Sequence, residues 1–441
     1  MHTWSKLTLM AKDAGLVGRR LQQCLPQGLE IEHCKLNRIR RLASPAGHGA
    51  SGLVASYLVF FHDRVRQKRG VQLYSGRVLP NAARLYQSFR KTTLSHAEFG
   101  EPLVYLSDLS MLLFAFPNDP ELPHLAQCTT KEAVEACLHN VADFGGTELL
   151  DFSCTPLKYD PGRGCTCRFV VVTATRDARS TWQLIAKTHV GKRGARTFET
   201  MSRVWADPVC RSGSWAVAKP LYYDPGRRLL WQEALPGQSF WRLYPNVDVE
   251  EVFPQMARAA ATLHQSGFAP RERLLKPAQD SRGVLLAETY ADLAHRLARV
   301  VHRLQETRGL LGQTNLVALH GDFHPDQFLI HDGRVALTDF DSACWGEPAY
   351  DLGRFASHVF LKAVEQDIDP DLFRRPLETF FEEYARCAKP LGGMARVFWQ
   401  IAAQLAGRRV HKLLKHLTDC PRGKIEQLLA LAEEFAACAA S

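Results

Sequence analysis

Asp322, Gln327 and Asp339 are the residues of this chain whose types and spacing could do chemistry. They stand in His320-Gly321-Asp322-Phe323-His324-Pro325-Asp326-Gln327 and in Leu337-Thr338-Asp339-Phe340-Asp341. An aspartate is thus followed by an amide five residues on, and by a second aspartate twelve residues further. Such a set of oxygens is what phosphoryl transfer from a magnesium nucleotide needs. Asp322 can accept the proton of an attacking hydroxyl, while Gln327 and Asp339 can offer oxygens to Mg²⁺ bridging the phosphates of the nucleotide.

Short apolar runs position these groups. Asn315 to Leu319 reads as a strand entering the loop. Gln327 to Ile330 and Val335 to Thr338 read as two strands joined by His331-Asp332-Gly333-Arg334, because Asp-Gly supplies the positive φ of a tight hairpin. Both aspartates then sit beside strand ends, and the hairpin brings Asp339 back towards Gln327.

These residues resemble the aminoglycoside phosphotransferase and choline kinase superfamily, whose fold is like that of the protein kinases. There the order is His-Gly-Asp, four residues, Asn, and later a metal-binding Asp. The resemblance implies that Asp322 is the catalytic base, that Asp339 is a metal ligand, and that ATP and Mg²⁺ are the cofactors. His320 joins the catalytic set by holding the loop through a backbone hydrogen bond, and His324 packs there or faces the substrate mouth. Gln327 departs from the family pattern, keeping the carbonyl ligand but adding a methylene and a rotatable bond. Gly346-Glu347-Pro348-Ala349-Tyr350-Asp351-Leu352-Gly353 is similar to the family segment in which an aspartate opens a helix and braces the catalytic loop. Asp351 is also well typed for a plain N-cap. A metallophosphatase would need further histidine-bearing loops downstream, and none with suitable spacing is present.

A nucleotide-holding half is expected upstream. Thr155 to Asp160, Cys165 to Thr175 and Trp182 to Val190 read as three strands, with Pro161-Gly162-Arg163-Gly164 as the first turn. The family resemblance places Lys187, in Ile185-Ala186-Lys187, on the α- and β-phosphates, with Glu199 of the following helical stretch as its partner. No glycine-rich or Walker-type loop is present; the Pro161 to Gly164 turn takes the place of the phosphate-covering loop, where Arg163 can reach a phosphate or face solvent. Leu229 to Gly237 looks like the hinge, where Glu233 and Ala234 would meet the adenine through their backbone.

Beyond the hinge the apolar spacing turns helical, over Val249 to Ser266, Leu285 to Thr307, Pro370 to Lys389, Ala395 to His416 and Lys424 to Ala439. The fold expected is α+β: a bilobal protein-kinase-like fold, with a β-rich small lobe at 149–238 and a mostly helical lobe at 239–441. An additional N-terminal α+β domain at 1–148 precedes them. At an offset of 111 residues Tyr57-Leu58-Val59-Phe60 aligns with Arg168-Phe169-Val170-Val171, and Gln72-Leu73 with Gln183-Leu184. The N-terminal domain is therefore read as a degenerate copy of the small lobe, with Gly76 in the place of Lys187 and an accessory role.

The remaining quantities narrow the class. No apolar run reaches membrane-spanning length, and Met1 to Leu7 lacks a secretory apolar block, so a cytoplasmic protein is expected. Twelve cysteines without paired metal-ligand spacing read as reduced apolar fillers. The net charge of +9 favours anionic nucleotides, while Arg64 to Arg69 lacks the interleaved aromatics of a nucleic-acid site. Two functions follow: an ATP-dependent kinase acting on a hydroxyl of an aminoglycoside-, choline- or sugar-like small molecule, or a pseudokinase-like module that binds nucleotide with little transfer. The acids Glu288, Asp292 and Glu382 could attract a cationic acceptor. The oligomeric state is not encoded in any feature of the sequence.

Overall fold

In the computed structural model, the described residues are 4–43, 50–212, 215–270, 290–312, 314–388, 393–415 and 422–440. They form a mixed α/β protein with antiparallel sheets and many helices, in two compact units. The first unit holds the chain up to Gly194 together with Tyr222–Trp231. The second holds Ala195–Leu221, Gln232–Leu414 and the C-terminal helix.

The first unit contains two five-stranded sheets. After helices α1 (Trp4–Lys12) and α2 (Ala14–Gln22) come β1 (Leu29–Ala43), β2 (Ala50–Asp63) and β3 (Lys68–Val78), then α3 (Ala82–Phe89), β4 (Leu103–Leu106) and β5 (Met111–Ala115). Their order across the sheet is β1-β2-β3-β5-β4. Short helices α4 (Leu125–Cys128) and α5 (Lys131–Asn140) lead to β6 (Glu148–Asp160), β7 (Gly164–Ala174) and β8 (Arg179–His189). After α6 (Arg193–Ala206), α7 (Pro208–Ser212) and β9 (Ala216–Val217), β10 (Pro220–Asp224) and β11 (Leu229–Glu233) complete the second sheet, in the order β6-β7-β8-β11-β10. Both sheets thus follow one plan, in which the third meander strand pairs with the last strand of a later hairpin.

Their registers coincide as well. Val59 faces Gln72 across β2 and β3, and Val170 faces Gln183 across β7 and β8, each partner 111 residues further on. Gly76 faces Ala55 in one ladder as Lys187 faces Thr166 in the other. A side chain at Gly76 would crowd Tyr57, Met111 and Leu113 at 3.0–3.3 Å, so a lysine there would need these neighbours to shift. The first sheet packs α1 and α2 on one face around Tyr57, Phe61, Tyr74 and Leu113, and the buried Tyr57 hydroxyl donates to the Ala11 carbonyl at 2.7 Å.

A buried polar cluster ties the segment after β5 to the β6–β7 turn. Asp119, with a fully buried side chain, accepts from Arg77 at 2.9 Å, from the Tyr159 hydroxyl at 2.7 Å and from the Gly162 amide at 2.7 Å. Arg40 adds a bond to the Pro161 carbonyl at 2.7 Å. Two charge-assisted bonds, from the Gly162 amide to Asp119 and from Arg40 to the Pro161 carbonyl, therefore fix a three-residue turn that would otherwise be a free hairpin tip, with Arg77 and Tyr159 holding Asp119 in place. Asp119→Asn keeps one acceptor and loses the anion, so a loss of about 1–3 kcal/mol is expected. Amide exchange at Gly162 should then accelerate, with Val170 in the ladder unchanged; equal protection at Gly162 would remove the brace.

The second unit is mostly helical. It contains β12 (Gln238–Ser239), α8 (Phe240–Leu243), α9 (Val249–Gln265), α10 (Ala291–Arg308), α11 (Pro348–Glu365), α12 (Arg374–Cys387), α13 (Met394–Gln404), α14 (Val410–Lys415) and α15 (Arg422–Cys438). Between α10 and α11 lie β13 (Val317–Leu319), β14 (Phe328–His331), β15 (Arg334–Leu337) and β16 (Cys344–Gly346). α11 is the axis of this unit, buried on nearly every face, and Gly353 on it lets α13 approach until Gln400 fills the place of a side chain. No helix among the described residues is long and apolar enough to cross a membrane.

Candidate functional site

The site is built on the strands between α10 and α11. β14 and β15 form the expected hairpin, with Phe328 opposite Leu337 and His331 opposite Arg334, and Asp332 and Gly333 both take positive φ in the turn. β13 pairs with β16, so the loop that begins at His320 leaves one ladder and enters the other. Gly321 makes that exit possible: its φ is +75°, and any side chain there would run into the Ser342 carbonyl.

Asp322, Gln327 and Asp339 come together as their spacing suggests. The Gln327 amide nitrogen donates to Asp322 at 3.3 Å and to Asp339 at 3.4 Å. The Gln327 carbonyl oxygen of the main chain is held by the amide and the hydroxyl of Thr338, each at 2.9 Å. Asp339 sits in the left-handed region at φ 69°, ψ 57°, a conformation costly for aspartate and found where a side chain must be aimed. Turning the Gln327 amide over presents its oxygen to the gap between the carboxylates, so Gln327 and Asp339 form a donor set that fits a hard divalent cation.

His320 is fully buried, and burial lowers its pKa from the usual value. Its Nε2 is 2.9 Å from the Thr338 carbonyl and its Nδ1 accepts from the Asp322 amide at 3.3 Å. It holds the loop to β15. Asp351 holds it from the other side, accepting from the amides of His320 at 2.7 Å and Gly321 at 3.0 Å, and lying 3.2 Å from His264 Nε2. The helix does not start at Asp351, however. Pro348 takes the first helical position behind Glu347, and Asp351 lies one turn inside, which aims its carboxylate at the loop rather than at its own helix.

Two side chains of α11 escaped the sequence reading. Arg354, 2% exposed, pairs through Nη2 with Asp322, and His358 stacks on His324 with ring centroids 4.1 Å apart. Burial and the neighbouring Arg409 push His324 down to about 3, so it stays neutral at any ordinary pH. Arg354 and His358 follow Asp351 by three and seven residues on one helical face, the spacing that could have revealed them. His324, Asp326 and His358 also form the one cluster of three His, Cys, Asp or Glu side chains among the described residues that could converge on a metal, though the two imidazole planes lie 5° from parallel, a poor arrangement for converging on one ion.

The other predicted residues are placed as follows. Lys187 is buried in β8 of the first unit, its backbone opposite Thr166. Arg163 is half exposed on the β6–β7 turn, 3.6 Å from Asp160. Glu199 lies in α6 of the second unit. Glu233 ends β11, and its amide donates to the Lys219 carbonyl at 2.9 Å, with Ala234 next in the chain. Of the acids considered for a cationic acceptor, Asp292 is taken by Arg422, and Glu382 lines a separate apolar cavity of about 480 Å³ with Phe381, Phe398 and Phe435. Glu288, like 285–287, lies outside the described residues.

Residues 196–391 match the model of a family described as phosphotransferase enzymes. No curated protein matches the chain. Among solved structures, amicoumacin kinase hAmiN is similar at 14% identity and TM-score 0.45, over 71% of this chain and 95% of its own. A choline/ethanolamine kinase family protein from Mesorhizobium loti is similar at 15% and 0.42, over 70% and 98%. Aminoglycoside phosphotransferase APH(4)-Ia is similar at 13% and 0.41, over 70% and 99%.

Proposed function

With residues 196–391 matching the model of a phosphotransferase enzyme family, we propose that this chain moves the γ-phosphoryl group of ATP to a hydroxyl of a small molecule. The observation that carries the reading is the convergence of Asp322 and Asp339 on the Gln327 amide, at 3.3 and 3.4 Å, beneath a loop pinned by Asp351. The acceptor oxygen bonds to the γ-phosphorus as the bond from that phosphorus to the β,γ-bridging oxygen breaks, and ADP leaves. Asp322 takes the hydroxyl proton, while Arg354 fixes the orientation of its carboxylate. Asp339 and the Gln327 oxygen would hold magnesium, which would supply positive charge beside the phosphate oxygens. The family resemblance gives Lys187 the α- and β-phosphates and makes Glu199 its partner, with Arg163, Glu233 and Ala234 as further nucleotide contacts.

One observation favours the second reading, a nucleotide-binding module with little transfer. Gln327 donates to both carboxylates and so stands where the cation would, bridging the pair by hydrogen bonds without a metal. An ADP-release screen over aminoglycosides, choline-like amines, sugars and hydroxy acids separates the two, with Asp339→Ala as blank. Release above the blank with any hydroxyl compound is the expected result. Stabilisation by MgATP with no release from any acceptor would leave only the binding module.

The N-terminal part belongs to the same proposal. A sheet with the plan and register of β6–β11, but with Gly76 closed in where the other has Lys187, is a degenerate copy that holds no phosphate. Its task is to brace, through Asp119 and Arg40, the turn that stands in place of a phosphate-covering loop.

A further inference from the structure

Glu382 borders a second place in the fold that the transfer step does not use. A cavity of about 480 Å³ lies between α11, α12, α13 and α15, all in the second unit. Its walls are apolar: Phe360, Leu377, Phe381, Phe398, Ile401 and Phe435 line it, and the rings of Phe360 and Phe398 stand 5.5 and 5.8 Å from that of Phe435. The cavity is separate from the catalytic loop. On α11, Phe360 follows His358, which stacks on His324, by two residues, or about 200° round the helix, so the two places lie on different faces of α11.

The helices around it are tied at this spacing. α13 approaches α11 where Gly353 admits Gln400, and the chain then runs through a π turn, Leu405–Arg409, into α14. Such a turn carries one residue more than an α-helix wants. It brings Arg409 to the Ser357 hydroxyl at 3.2 Å, and Lys412 beyond it lies 3.3 Å from Glu365. On the far side Arg374 of α12 clasps Glu434 of α15 through two bonds, at 2.6 and 2.9 Å. Protein interiors leave few gaps wider than a water molecule, so helices tied in this way enclose a space shaped for a guest. Its volume falls within the about 300–1,000 Å³ usual for small-molecule sites.

The rim sets the charge of that guest. Glu378, Glu382 and Glu434 are its carboxylates, and Arg374 is its one basic group among the described residues, so three negative charges face one positive. Arg374 is taken up by Glu434 and Asp371. Glu378 and Glu382, one turn apart on the exposed side of α12, make no hydrogen bond or ion pair among the described residues. Phenylalanine faces act in the same sense, because a ring attracts an ammonium group. An anion would be repelled, and a neutral apolar molecule would leave both carboxylates unused.

We propose that this cavity binds a small hydrophobic amine. An aromatic or branched alkyl body seats among Phe360, Phe398 and Phe435, and its ammonium meets Glu378 and Glu382 at the rim. The site is additional to any acceptor that Asp322 serves, and it stands whether or not transfer occurs.

Calorimetry on the full-length protein tests this with three probes that share one body and differ in charge: 4-phenylbutylamine, 4-phenylbutanol and 4-phenylbutyrate. The amine should bind about tenfold tighter than the alcohol, and the acid more weakly than either. Replacing both Glu378→Gln and Glu382→Gln, which keeps the shape of the two side chains, should bring amine and alcohol to within about twofold of each other. Ala385→Phe puts a ring into the cavity from its exposed wall, and should weaken amine and alcohol alike by roughly tenfold or more with the denaturant midpoint unchanged. Asp326→Asn, beside His358 on the catalytic face of α11, should leave amine binding as it is. Equal affinity for the three probes, or no amine binding at millimolar concentration, overturns the proposal. So does amine binding that is lost in Asp326→Asn and kept in the double glutamine variant, since it places the amine beside Asp322.

Discussion

Replacing Asp322 with asparagine is expected to lower turnover by roughly 10²–10⁴-fold while MgATP still binds. Asparagine has nearly the shape of aspartate and can still accept from Arg354 and Gln327, so the loop keeps its path. What it lacks is a site for the hydroxyl proton. The magnitude follows from the contribution of one positioned base, because positioning and phosphate neutralisation remain with Gln327, Asp339 and the nucleotide-holding residues. Single-turnover kinetics with a responsive acceptor, beside calorimetric titration of MgATP, read the two quantities separately. Unchanged turnover would remove Asp322 from the role of base, and joint loss of binding and turnover would assign it to holding the loop.

Replacing Asp351 with alanine is expected to cost about 3–5 kcal/mol. Its carboxylate accepts from two buried amides, His320 and Gly321, and approaches buried His264 at 3.2 Å. Alanine leaves both amides without acceptors inside the unit, at about 1–3 kcal/mol each. The loss is a large part of the about 5–15 kcal/mol that holds an ordinary domain. Denaturant midpoints compared with Asp351→Asn give the check, since asparagine keeps one acceptor and should recover part of the loss. Equal midpoints for wild type and alanine would show that the loop finds other partners.

Much of the site could be read before the structure because its parts are local. Asp322, Gln327 and Asp339 fall within eighteen residues, and the Asp332-Gly333 turn fixes how β14 and β15 return, so spacing alone gave their meeting. The ladder that matches Gln72 with Gln183 was legible for a related reason: register in a hairpin follows from strand pattern and turn length. Arg354 and His358 were not legible, because their partners lie more than thirty residues away and a buried arginine runs against its usual preference for the surface. Asp351 shows the intermediate case. Its type marked a helix start, but Pro348 is better suited to the first position, and the surplus carboxylate was turned to the loop. The cluster of Arg77, Asp119 and Tyr159 belongs to segments far apart in sequence, each unremarkable alone.

The π turn at Leu405–Arg409 has a consequence for how this chain can change. An α-helix advances about 100° per residue, so loss of one residue from that turn would restore regular winding and swing everything beyond it by that angle. Lys412 would leave its place opposite Glu365 although no charged residue had been replaced. The pairing of Lys412 with Glu365 is therefore written partly as a length of chain, and a single-codon deletion or insertion could break it between relatives whose aligned residues look the same.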